Sequence, residues 1–257
     1  RPDAAGPAIR LADAAVLLTG ALLVLPPLSA VLIAGLSAFP SLIRTEVGVA
    51  TATSFAIAVP AALISLAFSL AVAFAAPSRR ARPGTRRALT PGVFASLVLA
   101  VPPLALSAGL FVVLRNIVDP FRLALPLIIF VNALMALPFT LRQVEPPLAL
   151  SAERYGRLAD SLGLSGFSRI GIVDWPLLKR PLLAALAVAT ALSLGDLGVA
   201  AFFGAGNLQT LPLLLYERMG AYRLDEAASV AFALSVLVIS LFVAAQIGSG
   251  DALARSR

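Results

Sequence analysis

Asp196 is the one clear carboxylate inside a long apolar run, and glycines stand at 195 and 198 on either side of it. A carboxylate in that setting can guide a cation through a membrane, or it can accept hydrogen bonds from backbone that Gly195 and Gly198 loosen. Little other chemistry is available. The chain has no Cys and no His, which removes disulfides, thiolate nucleophiles, the usual zinc and haem ligands and the commonest general base. It also has no Gly-rich run ending in Gly-Lys-Ser/Thr. There is thus no nucleotide cradle, no cofactor is expected, and any ATP must be bound by a partner subunit.

A second set of polar residues clusters away from the apolar runs. Glu153, Arg154, Arg157, Asp160 and Ser161 form one side of a helical pattern, and Tyr155, Leu158, Ala159 and Leu162 recur at i, i+3, i+4 and i+7 on the other. Ser151 can cap the start of this helix, and Gly163 suits the left-handed position just past its end. A second short helix fits Phe167 to Val173, stopped by Pro176. An amphipathic element of this kind either lies on a membrane surface or docks a soluble partner.

The elements that must position these residues are membrane helices. Of the 257 residues, 60% are hydrophobic and 13% charged, and the mean hydropathy is +0.96; soluble domains carry about 25% charged residues. Six stretches approach the roughly 20 apolar residues that cross a bilayer in helix: 14–36, 48–75, 93–114, 123–141, 182–203 and 226–247. Residues 1–13 then form a linker or tail, 14–247 a transmembrane domain with a long structured segment at 142–181, and 248–257 a second tail. The fold class is all-α and polytopic. The chain opens Arg1-Pro2-Asp3 without an initiator Met, as expected of a piece of a longer parent.

Basic residues set the orientation. With the N-terminus inside, only Arg44, Arg115, Arg122, Arg218 and Arg223 of the twenty Lys and Arg fall outside. Both termini are therefore expected in the cytoplasm. The cluster Arg79 to Arg87 is a topology determinant that can also touch lipid head groups. This reading accounts for the net charge of +7 without nucleic acid. Ala187 and Ala191 give a small-xxx-small packing pattern. Tyr216, Tyr222 and Arg223 fall in an outer loop, where an interfacial aromatic belt or contact with a binding protein can use them.

The stretch Arg157-Leu-Ala-Asp-Ser-Leu-Gly163 followed by Val173-Asp174-Trp175-Pro176 resembles the cytoplasmic signature of bacterial type I ABC importer permeases. In that pattern Glu-Ala-Ala precedes Gly by three residues, and Ile, one residue and Leu-Pro follow. Gly163 fixes the register, Ala159 takes the second Ala, Val173 the Ile, and Trp175-Pro176 the Leu-Pro. Arg157 and Leu158 depart from Glu and the first Ala, while Glu153 lies one turn earlier and Asp160 is adjacent. The resemblance implies a helix that inserts into a groove of an ATPase dimer and transmits its closure. The run Ser193-Leu-Gly-Asp-Leu-Gly198 through Gly204, with Thr210 to Tyr216 and Met219 to Arg223, is similar to the C-terminal half of the thiamine-importing permeases. It implies a second permease half, fused or separate, a periplasmic binding protein, and thiamine or its phosphates as cargo. Permeases for iron(III) or polyamines are the neighbouring reading. An ion-coupled secondary transporter is the reading from another class, and it would call for an inverted repeat and several intramembrane charges.

Overall fold

The computed structural model describes residues 7–38, 45–75, 97–204 and 208–254. Residues 1–6 of the linker or tail expected at 1–13, Arg44, the cluster Arg79 to Arg87, the start of the third stretch and Arg255 and Arg257 lie outside the described residues. The described residues form helices joined by turns, with no strand among them, in agreement with the expected all-α polytopic class. In chain order it comprises α1 (Pro7–Ser37), α2 (Thr45–Ala75), α3 (Pro103–Leu114), α4 (Ala124–Ser161), α5 (Gly166–Arg169), a π-turn (Ile170–Asp174), α6 (Trp175–Leu194), α7 (Gly198–Phe203), α8 (Leu211–Gly220) and α9 (Leu224–Ala254). Among the described residues five helices are long and apolar enough to cross a membrane, where the sequence suggests six stretches.

The differences all occur at backbone irregularities. The third stretch is interrupted: Pro102 is extended at φ −58°, ψ 137°, and the helix starts at Pro103. Proline has no N–H and disfavours α geometry in the residue before it, so Pro103 suits the opening turn of a helix and Pro102 takes the extended conformation just ahead of it. The remaining 12 residues rise roughly 18 Å, short of a roughly 30 Å hydrocarbon core. The fifth stretch, read as one span over 182–203 with Gly195 and Gly198 loosening it, breaks between Leu194 and Gly198.

The fourth stretch does the reverse. Instead of stopping at 141 it continues as α4 for 38 residues, through Pro138, Pro146 and Pro147, to Ser161. At 1.5 Å per residue this is roughly 57 Å, so its last turns project well beyond the hydrocarbon. Ser151 is therefore not a helix cap; it lies inside α4 and is buried. Pro176 does not stop the second short helix either. It occupies the first turn of α6, where a missing N–H leaves nothing unsatisfied, and the π-turn before it keeps the chain helical from Gly166 to Leu194.

Helices α2, α4 and α6 pack as the central trio. At mid-length they meet through Ala62, Ala136 and Ala189, which lets the backbones approach closely. One step along, Thr140 Oγ1 lies 2.5 Å from Ser69 Oγ and 3.1 Å from Ser65 Oγ, all buried. Larger side chains fill the layers beyond: Leu141, Val144, Leu148, Leu178 and Leu182 with Ala73 toward one end, and Ile57, Ile128, Val131, Val199 and Phe203 toward the other. That second end closes with Val47, Leu211, Leu214 and Val230. Helix α9 packs on α6, and α1 packs on α9. Gly35 of α1 is buried against Phe232, and a methyl group there would overlap that ring. Gly35→Val should therefore loosen α1 at a cost of about 1–3 kcal/mol. Thermal unfolding of the detergent-solubilised protein should show the loss, and pairing it with Phe232→Gly, which removes the facing Cβ as well as the ring, should recover part of it.

Candidate functional site

The first candidate site is the projecting end of α4 and its return into α6. Helix α4 ends in a Schellman motif. Leu164 N–H donates to Ala159 O at 2.9 Å, and Gly163 N–H donates to Asp160 O at 3.2 Å. Gly163 holds φ +66°, a left-handed conformation that costs other residues about 1–2 kcal/mol. Gly166, at φ +56°, turns the chain again after the extended Ser165. Arg169, largely buried, reaches Asp160 at 3.8 Å and closes the loop on itself.

Two polar side chains fasten this loop from within. Ser151 Oγ donates to Asp174 Oδ1 at 2.5 Å, and both residues are buried. The bond joins the shaft of α4 to the π-turn that leads into α6. Trp175 N–H donates to Ile170 O across that π-turn, so the wider turn absorbs the irregularity ahead of Pro176. Val173 is partly buried beside Asp174.

The outer side of the loop is open. Glu153, Arg154, Arg157 and Asp160 are exposed. So are Leu158 at 58%, Leu162 at 65% and Phe167 at 91%. The apolar face expected from Tyr155, Leu158, Ala159 and Leu162 is thus split. Ala159 points into the chain's own packing at 1% exposure, whereas the other three face outward. Exposed apolar side chains grouped in this way mark contact surfaces.

The second candidate site lies at the break after α6. Asp196 Oδ2 accepts from Val199 N–H at 3.3 Å, so its carboxylate does bond backbone freed by the interruption. Neither flanking glycine needs its special freedom there: Gly195 has φ −83°, and a Cβ at Gly198 would stand 3.9 Å from Asp196 Oδ1. Asp196 also faces an open cleft of about 320 Å³, together with Asn132, Met135, Phe139, Ser193 and Gly195. Asn132 Nδ2 donates to Ser193 Oγ at 2.8 Å. Asn132, not among the candidates named from the sequence, is the sole amide in the middle of any of the apolar stretches, which is the signal that marks it, and Ser193 opens the run that carries Asp196. Among the described residues no three His, Cys, Asp or Glu side chains group as metal ligands would.

At the far end from the α4 loop, Arg218 of α8 pairs with Glu46 of α2 and, at 3.1 Å, with Glu226 of α9. Arg223 adds a contact to Glu226 at 3.7 Å. Tyr216 and Tyr222 are exposed beside this group. Asp196 and the α4 loop are therefore separate sites, joined by the length of α6.

The Ser151–Asp174 bond yields a direct test. Asp174→Ala removes the acceptor of a buried hydroxyl and should destabilise the loop by about 1–3 kcal/mol. Asp174→Asn keeps an acceptor oxygen and should lose less. Limited proteolysis between 160 and 170 should accelerate in the order wild type, Asn, Ala.

Comparison with known proteins places this architecture. Residues 73–248 match the family described as binding-protein-dependent transport system inner membrane component. The thiamine transport system permease protein ThiP of Brucella abortus is 42% identical over 241 residues, covering 92% of this chain and 43% of that protein. ThiP of Escherichia coli is 36% identical over 235 residues, covering 91% and 44%. A putative 2-aminoethylphosphonate transport system permease protein, PhnV of Salmonella typhimurium, is 24% identical over 146 residues, covering 56% and 54%. The chain thus spans less than half the length of the ThiP relatives. With the family match running from α2 into α9, this chain belongs to the binding-protein-dependent transport system inner membrane components, the membrane permeases of ABC importers.

Proposed function

We propose that the chain is one half, the C-terminal one, of a permease that carries thiamine or its phosphates across the bacterial inner membrane. A periplasmic binding protein delivers the substrate, and a second permease half completes the pathway. A separate ATPase dimer supplies the energy, since this chain has no nucleotide cradle and acts as a transport subunit rather than an enzyme. The thiamine assignment draws on identity to the ThiP relatives.

The observation that carries the coupling role is the α4 loop. It is fastened internally by Ser151–Asp174 and the Schellman motif, and it presents Leu158, Leu162 and Phe167 outward. A loop that is rigid within and apolar without suits a partner that pushes on it. In this reading Glu153, Arg157 and Asp160 rim the ATPase contact, Gly163, Val173 and Pro176 set the loop's shape, and Ala159 seats it on the bundle. Closure of the ATPase then favours one of two permease states by binding it better.

Reconstitution with ATPase, binding protein and partner half should give saturable, ATP-dependent uptake of labelled thiamine. Uptake of iron(III) or a polyamine in its place would reassign the substrate. Leu158→Arg and Phe167→Arg should each lower ATPase co-purification and uptake by roughly tenfold or more, with membrane insertion unchanged. Ala159→Arg is a poorer probe because it disturbs the chain's own packing. Retained co-purification in both exposed variants would make the loop a surface element. Orientation is tested separately: reporter fusions at 160 should read cytoplasmic, and those at 118 and 216 periplasmic.

A further inference from the structure

The cleft beside Asp196 joins two helix breaks that are distant in sequence. Val101 and Pro103 line it from the break ahead of α3, and Gly195 and Asp196 line it from the break after α6. Non-helical backbone at membrane depth persists only where protein or a water-filled cavity satisfies it. Two breaks on one cleft therefore mark a built cavity and not two local defects. Its volume of about 320 Å³ falls at the lower end of the roughly 300–1,000 Å³ typical of small-molecule sites.

The lining is selective. Asp196 is its single ionisable side chain among the described residues. Asn132 and Ser193 form a hydrogen-bonded pair beside it, and Phe139 and Met135 supply an aromatic face and a polarisable sulfur. A carboxylate attracts a cation, an aromatic face stabilises one through its quadrupole, and a thioether packs well on a flat ring. An anion would meet only repulsion from Asp196.

We propose that this cleft is a transport subsite for a compact organic cation bearing a flat ring, with Asp196 and Phe139 contacting the charge and Asn132 and Ser193 orienting the ring. The assignment rests on the thiamine reading for the identity of the cation, though not for its charge. Asp196 is then both the acceptor that steadies the start of α7 and the counter-charge of the passing substrate.

The chain has no cysteine, so Met135→Cys places a single thiol in the cleft wall. In the complete transporter, that thiol is labelled with a trimethylammonium or a sulfonate methanethiosulfonate, and mass spectrometry of its peptide gives the rates. After normalisation to a free thiol, the cationic reagent should react roughly tenfold faster or more. The preference should vanish in an Asp196→Asn background, and saturating thiamine should slow labelling several-fold. Equal normalised rates with Asp196 present, or no reaction with either reagent, overturns the proposal. Thiamine that is taken up normally yet leaves labelling unchanged also overturns it. If the cationic preference holds but thiamine is neither transported nor protective, the thiamine reading falls; protection by another flat-ring cation such as N-methylpyridinium then upholds the subsite, and protection by choline or spermidine alone overturns its ring specificity.

Discussion

Backbone amides and carbonyls inside hydrocarbon have no water to bond, so every break in a membrane helix must be repaired by something nearby. That requirement organises this protein. Where α6 ends at Leu194, the carboxylate of Asp196 accepts from the first turn of α7. Where Pro102 is extended ahead of α3, the chain lines the same cleft. Each break gathers polar side chains around it, and these give an otherwise apolar bundle a place to handle a charged solute.

The surroundings of the cleft are held by close packing and not by the hydrophobic effect, which has little force between helices in lipid. The alanine layer of Ala62, Ala136 and Ala189 brings α2, α4 and α6 near enough for Thr140 to reach Ser65 and Ser69. Interhelical bonds of this sort contribute about 0.6 kcal/mol each, and up to roughly 2. Side chains as small as these also let helices slide with few clashes. A transporter needs both properties, because it must hold two arrangements of the same helices.

Helix α6 links the two sites physically. With α5 and the π-turn ahead of it, it forms a continuous helical path from Gly166 to Leu194, 29 residues, or roughly 43 Å. Its near end carries Asp174, fixed to Ser151 on α4, and its far end stops at Asp196. In the coupling proposed above, a displacement of the α4 loop would reach the break through this path. The buried Ser151–Asp174 bond holds the π-turn at Ile170–Asp174 within it.

The amino-acid sequence alone determined the membrane class, the helical fold and the end of α4. Those properties follow from composition, from runs of apolar residues, and from one glycine at a position where only left-handed backbone fits. It also singled out Asp196, since a lone carboxylate among apolar residues is conspicuous without any structure. Tertiary structure decided the rest. Local pattern suggested Ser151 as a cap and Pro176 as a stop, but Ser151 bonds Asp174 twenty-three residues away, and a π-turn absorbs the proline. Ala159 belonged by periodicity with Leu158 and Leu162, yet it is buried while they are exposed, because the helix packs one edge of that face on its own bundle. Asn132 and Ser193 are 61 positions apart and become one polar pair only when α4 and α6 are brought together. Periodicity reports which residues share a face of one helix; which faces meet, and where two broken helices enclose a cavity, depends on contacts between elements far apart in the chain.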